Sequence, residues 1–229
     1  MTSRVNLGRL LGVAMLVTFV IGMLSNFKLQ DDLFKDGGLL INASSHPVKI
    51  GLICVLGMVS SLFSLWVATL LARAFSGVSG GILYFYLAIL AAGLALSLLE
   101  FATLVGFRDV SEAYHAAAEP QRAMIEASSR VLAGMRDGVH FMDKILGGFS
   151  VVLLFGFLFQ SRLLPRWLTV LGMLGASMQM VAVGRALFGG DVAYTLLAPL
   201  SLVFIVTMGW LLFFGFRQSS DRPSISTAE

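Results

Sequence analysis

Six apolar runs, at about 7–27, 48–72, 81–106, 139–160, 165–187 and 193–216, set the bounds on what this chain can fold into. A helix needs about 20 apolar residues to cross roughly 30 Å of hydrocarbon, and each run reaches that length. Backbone amides in lipid find no water, so they must be bonded within the segment, which makes runs of this length helices rather than lone strands. Charge content points the same way: 13% of the residues are charged and 57% hydrophobic, against about 25% charged in a soluble domain. The mean hydropathy is +0.87. The expected fold is all-α, a polytopic membrane bundle of six transmembrane helices forming one domain over 1–216. The polar stretch "RQSSDRPSISTAE", 217–229, is expected to be a disordered tail.

The formal charge of +3 does not indicate a nucleic-acid partner. The basic residues stand at the ends of the apolar runs rather than on one face, as the positive-inside rule requires. Cys54, the one cysteine, falls mid-run, which excludes an intrachain disulfide and any CxxC motif. The opening "MTSRVNLGRLLGVAMLVTFVIGML" begins like a secretory signal. Its apolar run exceeds the usual length of about 7–15 residues and no A-x-A triplet follows, so it is expected to stay as the first span.

Charge alternates between connections. Arg4, Arg9, Arg73, Arg162, Arg166, Arg217 and Arg222 fall on one side. Lys28 and Lys35, outnumbered by Asp31, Asp32 and Asp36, fall on the other with Asp191. Short basic connections mark the cytoplasm, so both termini are expected inside the cell. The long connection at about 107–137, between spans three and four, is then external. Val110, Tyr114 and Ala117 recur at helical spacing in it, as do Met124, Val131, Leu132 and Met135. It is expected to form an amphipathic helical cap of two helices, the second running into span four, on the outer interface or over the bundle.

The segment "GMRDGVHFMDKILGGFS", 134–150, carries Arg136, Asp137, His140, Asp143 and Lys144 ahead of span four. At about 100° per residue, all five fall within a sector of about 120°, with Gly147 and Ser150 continuing it inward. A solvated collar would place charge all round the helix. Depth follows from a rise of 1.5 Å per residue: Lys144 lies about 24 Å from Gln160, Glu100 a similar distance from Tyr84, and Arg185 about 27 Å from Trp167. Three spans therefore bring ionisable groups to one layer in the outer third.

An isolated charge there costs roughly 2.5–3.5 kcal/mol at the bilayer centre and less near its edge, so these groups should face one another. Glu100 is expected to pair with Arg185 or Lys144, and Asp143 and His140 to share the pocket, with hydrogen bonds from Gln179 and Tyr194. Glu100 is the most telling of them, because a short acidic side chain cannot snorkel from an apolar run. The competing reading is charge pairing for packing alone.

His140 and Asp143, three apart on one helix, can turn both heads to one point. With Glu100 they would make an acid–base group, since a carboxylate orients an imidazole that exchanges its proton near neutral pH. The same three could ligate a metal through one nitrogen and carboxylate oxygens, although H-x-x-D is a common spacing. No G-x-S-x-G, Walker loop or glycine-rich strand turn is present. The glycines of "GGFSVVLLFG" and "GMLGAS" lie inside spans, where small residues let helices approach.

The stretch "LFGFLFQSRLLPRWLTVLGMLGA", 154–176, resembles the bacterial six-span membrane family catalogued as domain of unknown function 4386. The likeness rests on the turn Ser161, Arg162, Leu163, Leu164, Pro165, Arg166, Trp167, Leu168, with Gly172 and Gly175 after it, and on "MRDGVHF" ahead of span four. Span three departs from those members that carry an Arg-x-x-Glu in it: here Glu100 stands without the arginine. The resemblance implies a bacterial inner-membrane protein and no particular activity or cofactor.

The leading expectation is a binding or accessory protein of the lipid bilayer, with a homo-oligomer or membrane protein as partner. Its outer-leaflet pocket, bounded by Glu100, His140, Asp143, Lys144 and Arg185, would hold an amphipathic small molecule or lipid head group. An intramembrane enzyme using His140, Asp143 and Glu100 ranks second. A small transporter ranks third, because spans two, five and six offer few polar residues towards the cytoplasm.

Overall fold

The structure, a computed structural model, describes residues 3–217. Beyond Arg217 the expected tail lies outside the described residues. Six helices are long and apolar enough to cross a membrane, the pattern of a multi-pass membrane protein. Their α-helical parts are α1 (Arg4–Leu24), α2 (Pro47–Gly77), α3 (Ser79–Ala116), α4 (Gln121–Gln160), α5 (Arg166–Leu187) and α6 (Ala198–Phe214), the last lengthened to a span by the 3-10 turn Tyr194–Leu197 ahead of it. No strand occurs among the described residues. α1 continues through a π-helical turn, Ser25–Leu29, and a 3-10 turn, Asp31–Leu33.

Local chemistry marks the helix boundaries. Ser3 caps α1, its hydroxyl accepting from the Asn6 amide at 3.2 Å. Pro47 and Pro199 stand in the first turns of α2 and α6, where a missing N–H costs nothing. Between α2 and α3 the chain reverses within "FSGVSGG": Phe75 and Ser79 leave helical geometry there. The reversal is visible at the opposite end, where the Ser111 hydroxyl near the end of α3 donates to Ser44, just ahead of α2, at 2.9 Å.

One end of the bundle carries both described chain ends and the α4–α5 turn, and the Arg217 amide donates to the Leu163 carbonyl at 3.0 Å. This terminal end is filled by a large apolar core that includes Leu11, Leu71, Phe75, Phe155, Phe157 and Leu211. Glycines set the approach of its helices. A Cβ on Gly8 would run into the Phe216 amide nitrogen, and one on Gly172 into the Phe155 ring.

The opposite, distal end holds a smaller core, in which Leu33, Leu39 and Ala43 of the α1–α2 connection pack on Ile50, Leu104 and Phe107. Asp32 fastens this connection by ion pairs to Lys35, at 2.7 Å, and to Lys49. The region 107–137 is helical, as its spacing predicts, but it does not form a separate cap. Its residues are the distal ends of α3 and α4, joined through Ala117–Pro120. With 38 and 40 residues, these helices run about 57 and 60 Å at 1.5 Å per residue, twice a hydrocarbon core. No proline interrupts either run, so nothing stops the helices where the apolar stretch ends. The segment that packs across the distal end is the α1–α2 connection.

Candidate functional site

In the distal half, α1, α2, α3, α4 and α5 surround a cavity of about 330 Å³. Along α3 its wall runs from Phe101 to Ile89, about 18 Å of helix. Gly22, Gly93 and Gly147 line it, leaving space that side chains would fill, while the Phe101 ring packs onto Gly57. Hydroxyls line it too. Thr18 Oγ1 and Ser64 Oγ are 3.2 Å apart, and Ser60 donates to Thr18 at 3.3 Å. Towards the terminal end the apolar core closes the bundle.

Glu100 sits in the upper wall with 6% of its surface exposed. Its Oε1 accepts from Arg136 Nη2 at 3.1 Å and faces His140 Nδ1 at 2.9 Å. A carboxylate paired with a guanidinium is an acceptor, so Nδ1–H donates and Nε2 becomes the ring nitrogen available to a ligand. Arg136 is equally buried, at 6%. Its guanidinium carbon lies 4.8 Å from the centre of the Phe34 ring, and its second nitrogen reaches Asp137 Oδ1 at 3.3 Å. Its Nε finds no partner among the described residues. Arg136 thus ties α3, α4 and the α1–α2 connection together at one point.

Asp143 and Lys144 form a second pair one turn nearer the terminal end. Lys144 Nζ donates to Asp143 Oδ2 at 3.0 Å, and the Ser97 hydroxyl to Asp143 Oδ1 at 3.2 Å. Gln179 of α5 donates to the Lys144 carbonyl at 3.3 Å. Asp143 and His140 therefore line one cavity as expected, with Glu100, Lys144 and Gln179.

Several expectations fail, among them the hydrogen bond from Tyr194, which is 75% exposed and whose side chain has no hydrogen-bond partner among the described residues. Glu100 pairs with neither Arg185 nor Lys144, because Arg136 and His140 occupy it. Arg185 is exposed and makes no ion pair among the described residues. Its depth matched that of Glu100, but the rotation of α5 turns it away. Ser97, which sequence reasoning missed, donates its hydroxyl hydrogen to Asp143. Spacing carried the missing signal: Ser97 and Glu100, three apart, share a helix face, as do Ser60 and Ser64.

The acid–base trio is divided in the same way. Glu100 and His140 meet, while Asp143 is engaged by Lys144 and Ser97. No cluster of three or more His, Cys, Asp or Glu side chains with metal-binding geometry occurs among the described residues.

The family described as Domain of unknown function (DUF4386) matches residues 10–215. The chain belongs to that family. The match takes in α1 from Leu10 onward, the other five long helices whole and every charged group of the cavity, beyond the segment 154–176 that carried the resemblance. No curated protein and no solved structure matches this DUF4386 chain.

Proposed function

We propose that this DUF4386 protein lies in the bacterial inner membrane with its terminal end in the cytoplasm. In this reading the distal cavity binds an amphipathic small molecule or a lipid head group at the outer leaflet, in a binding or accessory role. One observation carries it. Asp143 and Lys144, with Ser97, are turned onto the wall of a partly open cavity, although Lys144 is long enough to snorkel to the interface. Polar groups that serve packing alone saturate one another in a close-packed interior. These border open space, and the hydroxyls of Thr18, Ser60 and Ser64 extend the same wall. The apolar core on the terminal side favours access from one side over a continuous path, which ranks a transporter below a binder.

Native mass spectrometry of the purified protein tests the reading by looking for a co-purifying amphiphile. Asp143→Asn and Ser97→Ala should each reduce its retention about tenfold, the worth of one charge-assisted hydrogen bond. Retention equal to that of the unaltered protein in both variants would reject it.

The Glu100–His140 contact favours a second reading, an intramembrane enzyme with His140 as acid or base. It requires that His140→Ala abolish turnover of the bound molecule while leaving it bound.

A further inference from the structure

A second chamber, of about 650 Å³, adjoins the polar cavity. Asn26, His140, Lys144 and Gln179 line both, so the two are separated by one shared polar wall. The remaining lining is mostly apolar and aromatic, and includes Phe19, Phe27, Leu200 and Phe204. These residues come from α1, its π-helical extension and α6, the two helices that flank the chamber.

α1 and α6 touch closely towards the terminal end. Gly8 abuts Gly215 and Phe216, and Gly12 abuts Leu211. Towards the distal end the same pair borders the chamber instead. Two aromatic rings stand at this level, Phe27 and Tyr194, 69% and 75% exposed. From Phe19 to Phe27 the chamber follows α1 for about 12 Å, beside the stretch that would contact lipid tails.

We propose that this chamber holds the hydrocarbon chain of the ligand whose polar end sits in the first cavity, and that the cleft between α1 and α6 is a side entrance from the bilayer. The inference rests on the head-group reading above and adds the ligand's class: a chain-bearing amphiphile drawn from the membrane, not a solute taken from water. Apolar lining favours an apolar occupant, because an empty chamber forfeits the contacts of every side chain around it. Lys144 and Gln179, at the shared wall, stand where the polar and apolar parts of such a molecule meet. An opening between these helices allows entry without carrying the head group through the apolar core.

The test uses the full chain in phosphatidylcholine nanodiscs with a lysophosphatidylcholine that carries a photoreactive diazirine in its chain. After illumination, peptide mass spectrometry should place adducts on Phe19, Leu200 and Phe204. Ser201→Trp, a change at an exposed residue of the chamber wall, should lower them about tenfold, equivalent to about 1.4 kcal/mol. Leu202→Trp, on the exposed face of the same helix, should leave them unchanged and controls for folding. Adducts spread over outward residues such as Trp66 and Phe213, and indifferent to Ser201→Trp, would overturn the side entrance. Probe retention that still falls in Asp143→Asn would in that case leave the head-group reading standing. Retention insensitive to Asp143→Asn would remove that reading and this inference with it.

Discussion

Glu100 and Arg136 form a buried ion pair in a chain with few charges to spend. Two ions taken out of water repay their desolvation only when well bonded, and removing one strands the other. Glu100 is shared between Arg136 and His140, while Arg136 has Asp137 and the Phe34 face as further neighbours. Glu100→Gln should therefore destabilise the protein by about 3 kcal/mol, the lower end of the range for a broken buried pair. Asp143→Asn should cost about 1 kcal/mol or less, since its partner Lys144 is 40% exposed. Thermal unfolding in detergent compares the two, and equal shifts would contradict the difference in burial. The acidic residue was legible in the sequence, because a glutamate inside an apolar run must find a cation. Its partner was not. Depth along a helix can be counted from residue numbers, and Arg185 matched Glu100 on that scale. The rotation of one helix against another is set by side-chain packing, and that selected Arg136.

Each long helix owes its existence to its own residues, because lipid leaves the backbone no other partner. The contacts between helices depend on where small residues fall. Gly8→Ala places a methyl group against the Phe216 backbone and should cost about 1–3 kcal/mol as an overpacked contact. Gly22 has nothing within 4 Å of its missing Cβ, so Gly22→Ala should be neutral or stabilise by up to about 1 kcal/mol through helix propensity. Melting temperatures of the two variants check the pair, and a Gly8→Ala protein as stable as Gly22→Ala would show that α1 and α6 do not meet closely there. Helical spacing over 107–137 correctly indicated helices. The continuity of the second with α4 was expected, whereas that of the first with α3 was hidden, because amphipathic periodicity looks the same in a separate surface helix and in the projecting end of a span.

For the whole molecule, the basic terminal end predicts an orientation that reporter fusions can measure. A fluorescent protein joined after the described residues should fluoresce, and alkaline phosphatase there should be inactive. Phosphatase inserted at Ala117–Pro120 should be active, and the opposite pattern would invert the proposed topology. By itself the sequence determined that this is a bundle of six membrane-length helices, that 107–137 is helical, and that charge gathers on one face of α4. Those properties depend on composition and on the repeat of a single helix, which neighbouring residues establish alone. Tertiary structure decided that Arg136 neutralises Glu100, that Arg185 points away, and that a hydroxyl-lined cavity and an apolar chamber share a wall. Such features depend on how helices rotate, tilt and splay against one another, which is resolved by small residues and packing across distant parts of the chain.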